Sequence, residues 1–430
     1  MNLKKVLIIV IAFWITHSQV YGQDVRERLI GLNNLLGQGS FFDNHMAGFI
    51  LYDLDSQTVQ YEKNSHLYFI PASTTKLFTF FGALLVLGDT STFLRFVPNE
   101  GNVTIWGTGD PSLAYPSLPS PKMKDFLSRY DKIYYSESNW QDSPFGYGWQ
   151  WDDYFYSYSA ERSPIPIFGN LLKSRNINNR PVLTPSIFSV AATDKPMRNV
   201  ERDWHTNNFY YNPRTYNGRE SQVPFITSKE TFAQLAALEW KKEVLLSNEN
   251  LPPDHFILKG IPTKAFYKEM LLESDNFIAE QLLLQVSDEV FRELNAEKAI
   301  EYIKETYLFD LPDEPIWVDG SGLSRHNLIT PRTMVSLLDK IYRLLPDAEL
   351  FGLLPIGGRS GTLKFNYQAP VPYIFAKTGT ISNNHCLVGF IKTRKDKIYA
   401  FSFMNNNYPY KASTVRNEME KVLLFIRDNF

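Results

Sequence analysis

The chain has a single cysteine, Cys386, among 430 residues. One thiol excludes an internal disulfide framework, so an apolar core has to hold the fold, and a chain with 44% hydrophobic residues can build one. Charge of one sign is missing as well: 44 basic residues stand against 46 acidic ones. No global field gathers nucleic acid or an anionic membrane surface, and any partner has to be recognised locally. The seven histidines are scattered, and neither HExxH nor a carboxylate cluster marks a metal site. Low-complexity tracts and internal repeats are absent. Cys386 does follow His385, yet "NNHCLVGFI" alternates as a strand does, sending neighbours to opposite faces. The cysteine therefore reads as a small buried residue and not as half of a thiol and base pair.

One apolar run stands out, in "MNLKKVLIIVIAFWITHSQVYGQ" at the amino terminus. Lys4 and Lys5 precede it, and Val20 and Gly22 occupy the small-residue positions ahead of Gln23. That layout predicts a secretory signal peptide over residues 1–22 and export to the periplasm or cell envelope. The run falls short of the ~20 residues needed to span a bilayer, and no cysteine follows it to carry a lipid. Nothing further along predicts an integral span once the signal is removed.

Hydrophobic periodicity divides the rest. "MAGFILYDLDSQTVQYEKN", Met46 to Asn64, predicts two strands joined by a turn at Asp55 to Gln57, and a helix follows Pro71. Between residues 89 and 258 the texture changes to short strands such as "NVTIWG", many prolines and the aromatic stretch "FGYGWQWDDYFYSYSAERSPIPIF". This predicts an inserted, mostly β accessory region with its own core, standing apart from the chemistry. Helical patterns return in "KAFYKEMLLESDNFIAEQLLLQVS", "NAEKAIEYIKETY" and "PRTMVSLLDKIYRLL". The carboxyl-terminal part reads as three strands, "VPYIFAKTGT", "CLVGFIKT" and "KIYAFSFMNN". A last helix carries Val415, Met419, Val422, Leu423 and Ile426 along one face. The expected fold is α+β: one antiparallel sheet completed by strands from both ends of the chain, flanked by helices. Residues 23–88 and 259–430 would form that domain, interrupted by 89–258.

Three short segments carry chemistry. In "PASTTKL" Ser73 sits where a helix begins and Lys76 lies three residues on, on the same face. An amine is thereby placed within reach of a hydroxyl, as a nucleophile and its base require. A helix cap and a snorkelling lysine would look the same. "LLESDNFIAEQLL" adds Ser274, Asp275 and Asn276 just before a helical run, and "FAKTGTISNN" adds Lys377, Thr378, Gly379 and Thr380 at a strand end. S-x-x-K, S-D-N and K-T-G in this order are the signature of penicillin-binding proteins and class A β-lactamases. A cap at Ser274 and a turn at Gly379 explain each segment alone but not the ordered set.

With these motifs the chain resembles the exported D-alanyl-D-alanine carboxypeptidases and endopeptidases known as low-molecular-mass class C penicillin-binding proteins. The resemblance extends to "WGTGDPSL", "YGWQWDD", "VDGSGLSRHNLITP" and "LPIGGRSGTL". It implies the penicillin-binding fold shared by DD-peptidases and β-lactamases, with an all-helical subdomain. Ser73 and Ser274 are somewhat closer in sequence than is usual there, so the accessory insertions are trimmed.

The resemblance also implies roles. Ser73 attacks the carbonyl of the penultimate D-alanine of a peptidoglycan stem peptide, and Lys76, kept neutral by burial and by the charge of Lys377, takes its proton. The backbone amides of Ser73 and Thr380 form the oxyanion hole. Ser274 passes a proton to the leaving amine, Asn276 holds Lys76 and the substrate amide, and Lys377, Thr378 and Thr380 bind the terminal carboxylate. Gly379 leaves the strand edge open to substrate. Water then releases the acyl-enzyme, β-lactams inhibit by acylating the same serine, and no metal or organic cofactor is required. Gly320 and Gly322 would shape a loop that Asp319 and Ser321 support. Two alternatives remain: a serine β-lactamase, for which no E-x-x-L-N segment follows Asn276, and a non-catalytic wall-binding scaffold, which has no need of intact motifs.

Overall fold

The computed structural model describes residues 26–430, and the expected signal peptide lies outside the described residues. The chain forms two compact units. The first comprises the described residues up to Pro71 with Ile329–Phe351 and Pro355–Phe430; the second comprises Ala72–Leu328 with Gly352–Leu354.

In the first unit, Met46–Asp53 and Thr58–Lys63 pair as a hairpin, and Ile374–Ile381, Asn384–Lys392 and Ile398–Asn406 form a meander. Met46–Asp53 then pairs antiparallel with Ile398–Asn406, joining both pieces in one five-stranded sheet. This is the closure read from the sequence. The second and third strands of the meander, interior in the sheet, are buried along almost their whole length, which both faces being covered explains. One face packs against the helix over 26–36 and the helix Ala412–Asn429, whose Val415, Met419, Val422, Leu423 and Ile426 are fully buried. The helix Pro331–Leu344 lies against the same strands. Its start combines two sequence signals, a Thr330 side chain accepting from Thr333 N and a proline in the first turn. Cys386 is fully buried in this core, and burial pushes its thiol up to about 12, as its reading as an inert residue requires.

The second unit contains a helical cluster and the strands of the 89–258 region. Asn276–Phe291 is the central helix, contacted by Lys76–Val86, Thr263–Leu272 and Ala296–Tyr307. Thr90–Asn99, Asn102–Gly107 and Lys132–Ser136 belong to a second five-stranded sheet, and two three-stranded sheets complete the unit. A core running from Phe93 to Trp240 fills this region. Residues of this region are bonded to the helical cluster. Arg95, on the strand Thr90–Asn99, donates from Nε and Nη2 to both oxygens of Asp288 on the central helix, at 2.9 and 2.6 Å. Both side chains are buried. Removing one partner of such a pair would leave the other charge buried and uncompensated, at a cost of about 3–5 kcal/mol. None of the described helices is long and apolar enough to cross a membrane.

Candidate active site

Ser73 lies in a single 3-10 turn, Ala72–Thr75, and Lys76 is the first residue of the α-helix that continues it. The helix thus begins three residues later than Ser73, and the serine projects from the tighter turn ahead of it. The turn is locked from outside. Ala72 has φ of 47°, and Gly322, with φ of 78°, brings its backbone so close that a Cβ there would sit 1.9 Å from Ala72 O. Only glycine tolerates both that torsion and that approach. Gly322 is one of the two loop-shaping glycines that the sequence suggested, and it shapes the turn that carries Ser73.

Lys76 is wholly buried, while Ser73 is partly exposed. Lys76 Nζ donates to Asn276 Oδ1 at 2.7 Å, to the Ser321 carbonyl at 2.7 Å and to Ser73 Oγ at 3.0 Å. Two of these partners are carbonyl-type oxygens that can only accept; the third is a hydroxyl that can also donate. When Lys76 loses a proton, its two remaining N–H groups match the two carbonyl oxygens, and its lone pair is left facing Ser73. The orientation of Asn276 is set in turn, because its Nδ2 donates to the Tyr158 carbonyl at 3.0 Å and so keeps Oδ1 towards Lys76. Tyr158 comes from the 89–258 region.

Burial lowers the Lys76 pKa to about 8, against the opposing pull of Asp319, Asp275 and Glu280. Desolvation thus acts in the direction expected for this base. Glu280 lies four residues after Asn276 on one helix face, and its Oε1 accepts from Ser321 N at 2.8 Å. Arg162 Nη1 approaches its other oxygen at 3.6 Å. Burial, with Asp319 nearby, raises the Glu280 pKa. Asp319 fixes the loop by accepting from Gly322 N at 2.9 Å, Ser324 N at 2.7 Å and Trp149 Nε1 at 3.0 Å.

These contacts give a pH prediction. If Lys76 must be neutral to act, acylation should speed up with pH, about tenfold per unit below an apparent pKa near 8, and then level off. Glu280→Gln keeps an acceptor for Ser321 N but deletes a negative charge that stabilises the protonated amine. The apparent pKa read from the pH dependence of acylation should move below that of the parent; an identical profile would contradict the coupling.

The other predicted residues fall as follows. Asp275, not Ser274, caps the helix Asn276–Phe291, its Oδ1 accepting from Ile278 N at 2.9 Å. Ser274 has φ of 62° and precedes that cap in a strained turn. The Tyr115 hydroxyl donates to the second Asp275 oxygen. Ser274, Asp275 and Asn276 line a cavity of about 380 Å³ with Tyr115, Tyr158 and Glu269.

In the first unit, Lys377, Thr378, Gly379 and Thr380 lie on the terminal strand of the sheet, Gly379 opposite Cys386. Pro355–Gly357 covers the start of this strand: Ala376 N donates to Pro355 O and Gly357 N to Ile374 O. Lys377 is buried, its Nζ donating to Thr378 O at 2.9 Å. Thr378 Oγ1 is 2.7 Å from Thr362 Oγ1, and Thr380 Oγ1 is 2.7 Å from His385 Nδ1.

Sequence reasoning missed Glu280, Arg162, Tyr115 and Tyr158. Helical spacing from Asn276 could have found Glu280. No local pattern points to Arg162, and Tyr158 acts through its backbone.

Comparisons with known proteins place the chain in a family. Residues 30–195 and 218–427 match the D-Ala-D-Ala carboxypeptidase 3 (S13) family. The D-alanyl-D-alanine carboxypeptidase DacB of Haemophilus influenzae is 25% identical over 84% of this chain and 85% of its own. The penicillin-sensitive carboxypeptidase A of Dictyostelium discoideum is 24% identical over 83% of this chain and 82% of its own. The crystal structure of penicillin binding protein 4 from Haemophilus influenzae superposes with a TM-score of 0.70 at 22% identity, covering 92% of this chain and 97% of that one. The fold is therefore the α+β penicillin-binding fold, and the chain belongs to the D-Ala-D-Ala carboxypeptidase 3 (S13) family of serine peptidases.

Proposed function

We propose that the chain is an exported D-Ala-D-Ala carboxypeptidase and/or DD-endopeptidase that cleaves peptidoglycan stem peptides through an acyl-enzyme at Ser73. The observation that carries this reading is the hydrogen-bond set of Lys76, which points its lone pair at Ser73 Oγ once the amine is neutral. Ser73 Oγ attacks the penultimate D-alanine carbonyl as its proton passes to Lys76 Nζ, and the Ser73 and Thr380 amides take the oxyanion. The tetrahedral adduct collapses as Ser274 relays the proton held by Lys76 to the departing amine, which leaves Lys76 neutral, and water then attacks the ester with Lys76 again as base. Asn276 keeps Lys76 oriented and binds the substrate amide. Lys377, Thr378 and Thr380 receive the terminal carboxylate, and the substrate backbone adds beside Gly379 as an extra strand.

Family membership favours this over a β-lactamase, and the intact Lys76 geometry favours it over a scaffold. Relatives named penicillin-sensitive and penicillin binding support β-lactams as covalent inhibitors. The residue pattern at 1–22 supports export to the periplasm or cell envelope. We read 89–258 as an insertion that contributes Tyr158 to the site. Digesting purified muropeptides and resolving the products by mass tests the proposal. Loss of one terminal alanine, or separation of cross-linked dimers, is the expected result. Intact substrates in the presence of enzyme that binds penicillin would overturn it.

A further inference from the structure

The second unit carries an aromatic surface that the peptidase chemistry leaves unused. Trp151 is 76% and Trp204 45% exposed. The two indoles stack with centroids 6.0 Å apart and planes at 28°, and Trp204 is also parallel to Tyr154, at 5.6 Å and 8°. The Arg202 guanidinium sits 4.6 Å from the Tyr154 ring centre, and the Tyr154 hydroxyl donates to Trp204 O at 3.1 Å. The rings are thus held in a fixed stack. With Phe145, Trp149 and Gln150 they line a groove of about 410 Å³, with His205 at its rim. Rigid, stacked indole rings left facing water are unfavourable, a feature that binding surfaces share.

Two walls of the groove are linked to the residues around Ser73 by hydrogen bonds and chain connectivity. Trp149, one of its walls, donates to Asp319, the carboxylate that fixes the loop bearing Ser321, whose carbonyl holds Lys76. Ser159, another wall, follows Tyr158, whose carbonyl orients Asn276.

We infer that the Trp151 and Trp204 platform is a glycan subsite that stacks an N-acetylated hexosamine ring of the peptidoglycan strand while the attached stem peptide reaches Ser73. The inference rests on the stem-peptide reading above. A stem peptide of four or five residues extends at most roughly 15–18 Å, so its sugar has to lie near the enzyme surface when the terminal residues are at Ser73. Pyranose rings present C–H groups that suit the electron-rich face of an indole, and their hydroxyl and acetamido groups suit planar polar side chains. Gln150 and His205 line the groove and are exposed, where they can meet such groups. An apolar peptide would call for an enclosed slot; the stack is instead flat, open and rimmed with polar groups.

The test compares the same pentapeptide free and linked to its disaccharide. The parent enzyme should favour the sugar-bearing form in kcat/KM, chiefly through KM, and Trp151→Ala with Trp204→Ala should reduce that preference by about three- to tenfold. Trp151→Phe, which keeps a ring, should retain most of it. Independently of turnover, N-acetylglucosamine tetramer should quench the tryptophan fluorescence of the parent and not that of the double variant. Equal preference in parent and double variant, with no quenching by the tetramer, overturns the subsite. The rate of acylation by penicillin is followed in parallel: its absence in the parent would sink the peptidase reading, while quenching by the tetramer would still report the subsite.

Discussion

Replacing Ser73 with alanine should lower release of D-alanine from a stem pentapeptide by roughly four to six orders of magnitude, because a serine hydrolase without its nucleophile retains only what binding and oxyanion contacts supply. Labelling by a fluorescent penicillin should fall to background as well. The side chain is partly exposed and its hydroxyl makes one contact with Lys76, so the thermal midpoint should change little. Activity loss without loss of fold is the pattern to look for. A Ser73→Ala enzyme that still labels with penicillin would place the nucleophile elsewhere.

Lys76→Met should be nearly as damaging to acylation. The substitution keeps the length of the apolar stem but removes the amine that we propose receives the Ser73 proton. A positioned base contributes about 10²–10⁴-fold by itself, and a residue that works as a unit with its nucleophile can cost as much as the nucleophile. This variant should also lose stability, unlike Ser73→Ala. The Ser321 carbonyl and Asn276 Oδ1 would both lose a buried donor, at about 1–3 kcal/mol for each group left unsatisfied. Measuring acylation well below the thermal midpoint separates the two effects. If folded Lys76→Met acylates at the parental rate across pH, Lys76 is not the base.

Much of the fold and of the site is legible in the amino-acid sequence. The alternation in "CLVGFIKT" and "KIYAFSFMNN" places two central strands correctly to within about two residues, and the face from Val415 to Ile426 marks the final helix, because both signals are local periods that burial enforces. The motif residues Ser73, Lys76 and Asn276 stand out in the sequence and meet in space. Where sequence and structure part, the cause is shared: these features depend on backbone conformation or on contacts between distant segments. A cap at Ser274 is plausible by composition, yet its positive φ moves the cap to Asp275. Arg95 is tied to Asp288 and the Tyr158 carbonyl to Asn276, both across long stretches of chain. Neither link leaves a trace in local spacing. Asp319 and Gly322 are recognisable as loop-shaping residues, whereas their grip on the turn that carries Ser73 depends on the close approach of Gly322 to Ala72.

The most direct test is to locate the covalent adduct. The enzyme is treated with a β-lactam, digested with trypsin and analysed by fragmentation mass spectrometry. Cleavage after Lys63 and Lys76 would release the peptide Asn64–Lys76, and the acyl mass should sit on it at Ser73. An adduct on Ser274 or Ser321, or none at all on an enzyme that still turns over stem peptides, would contradict the account.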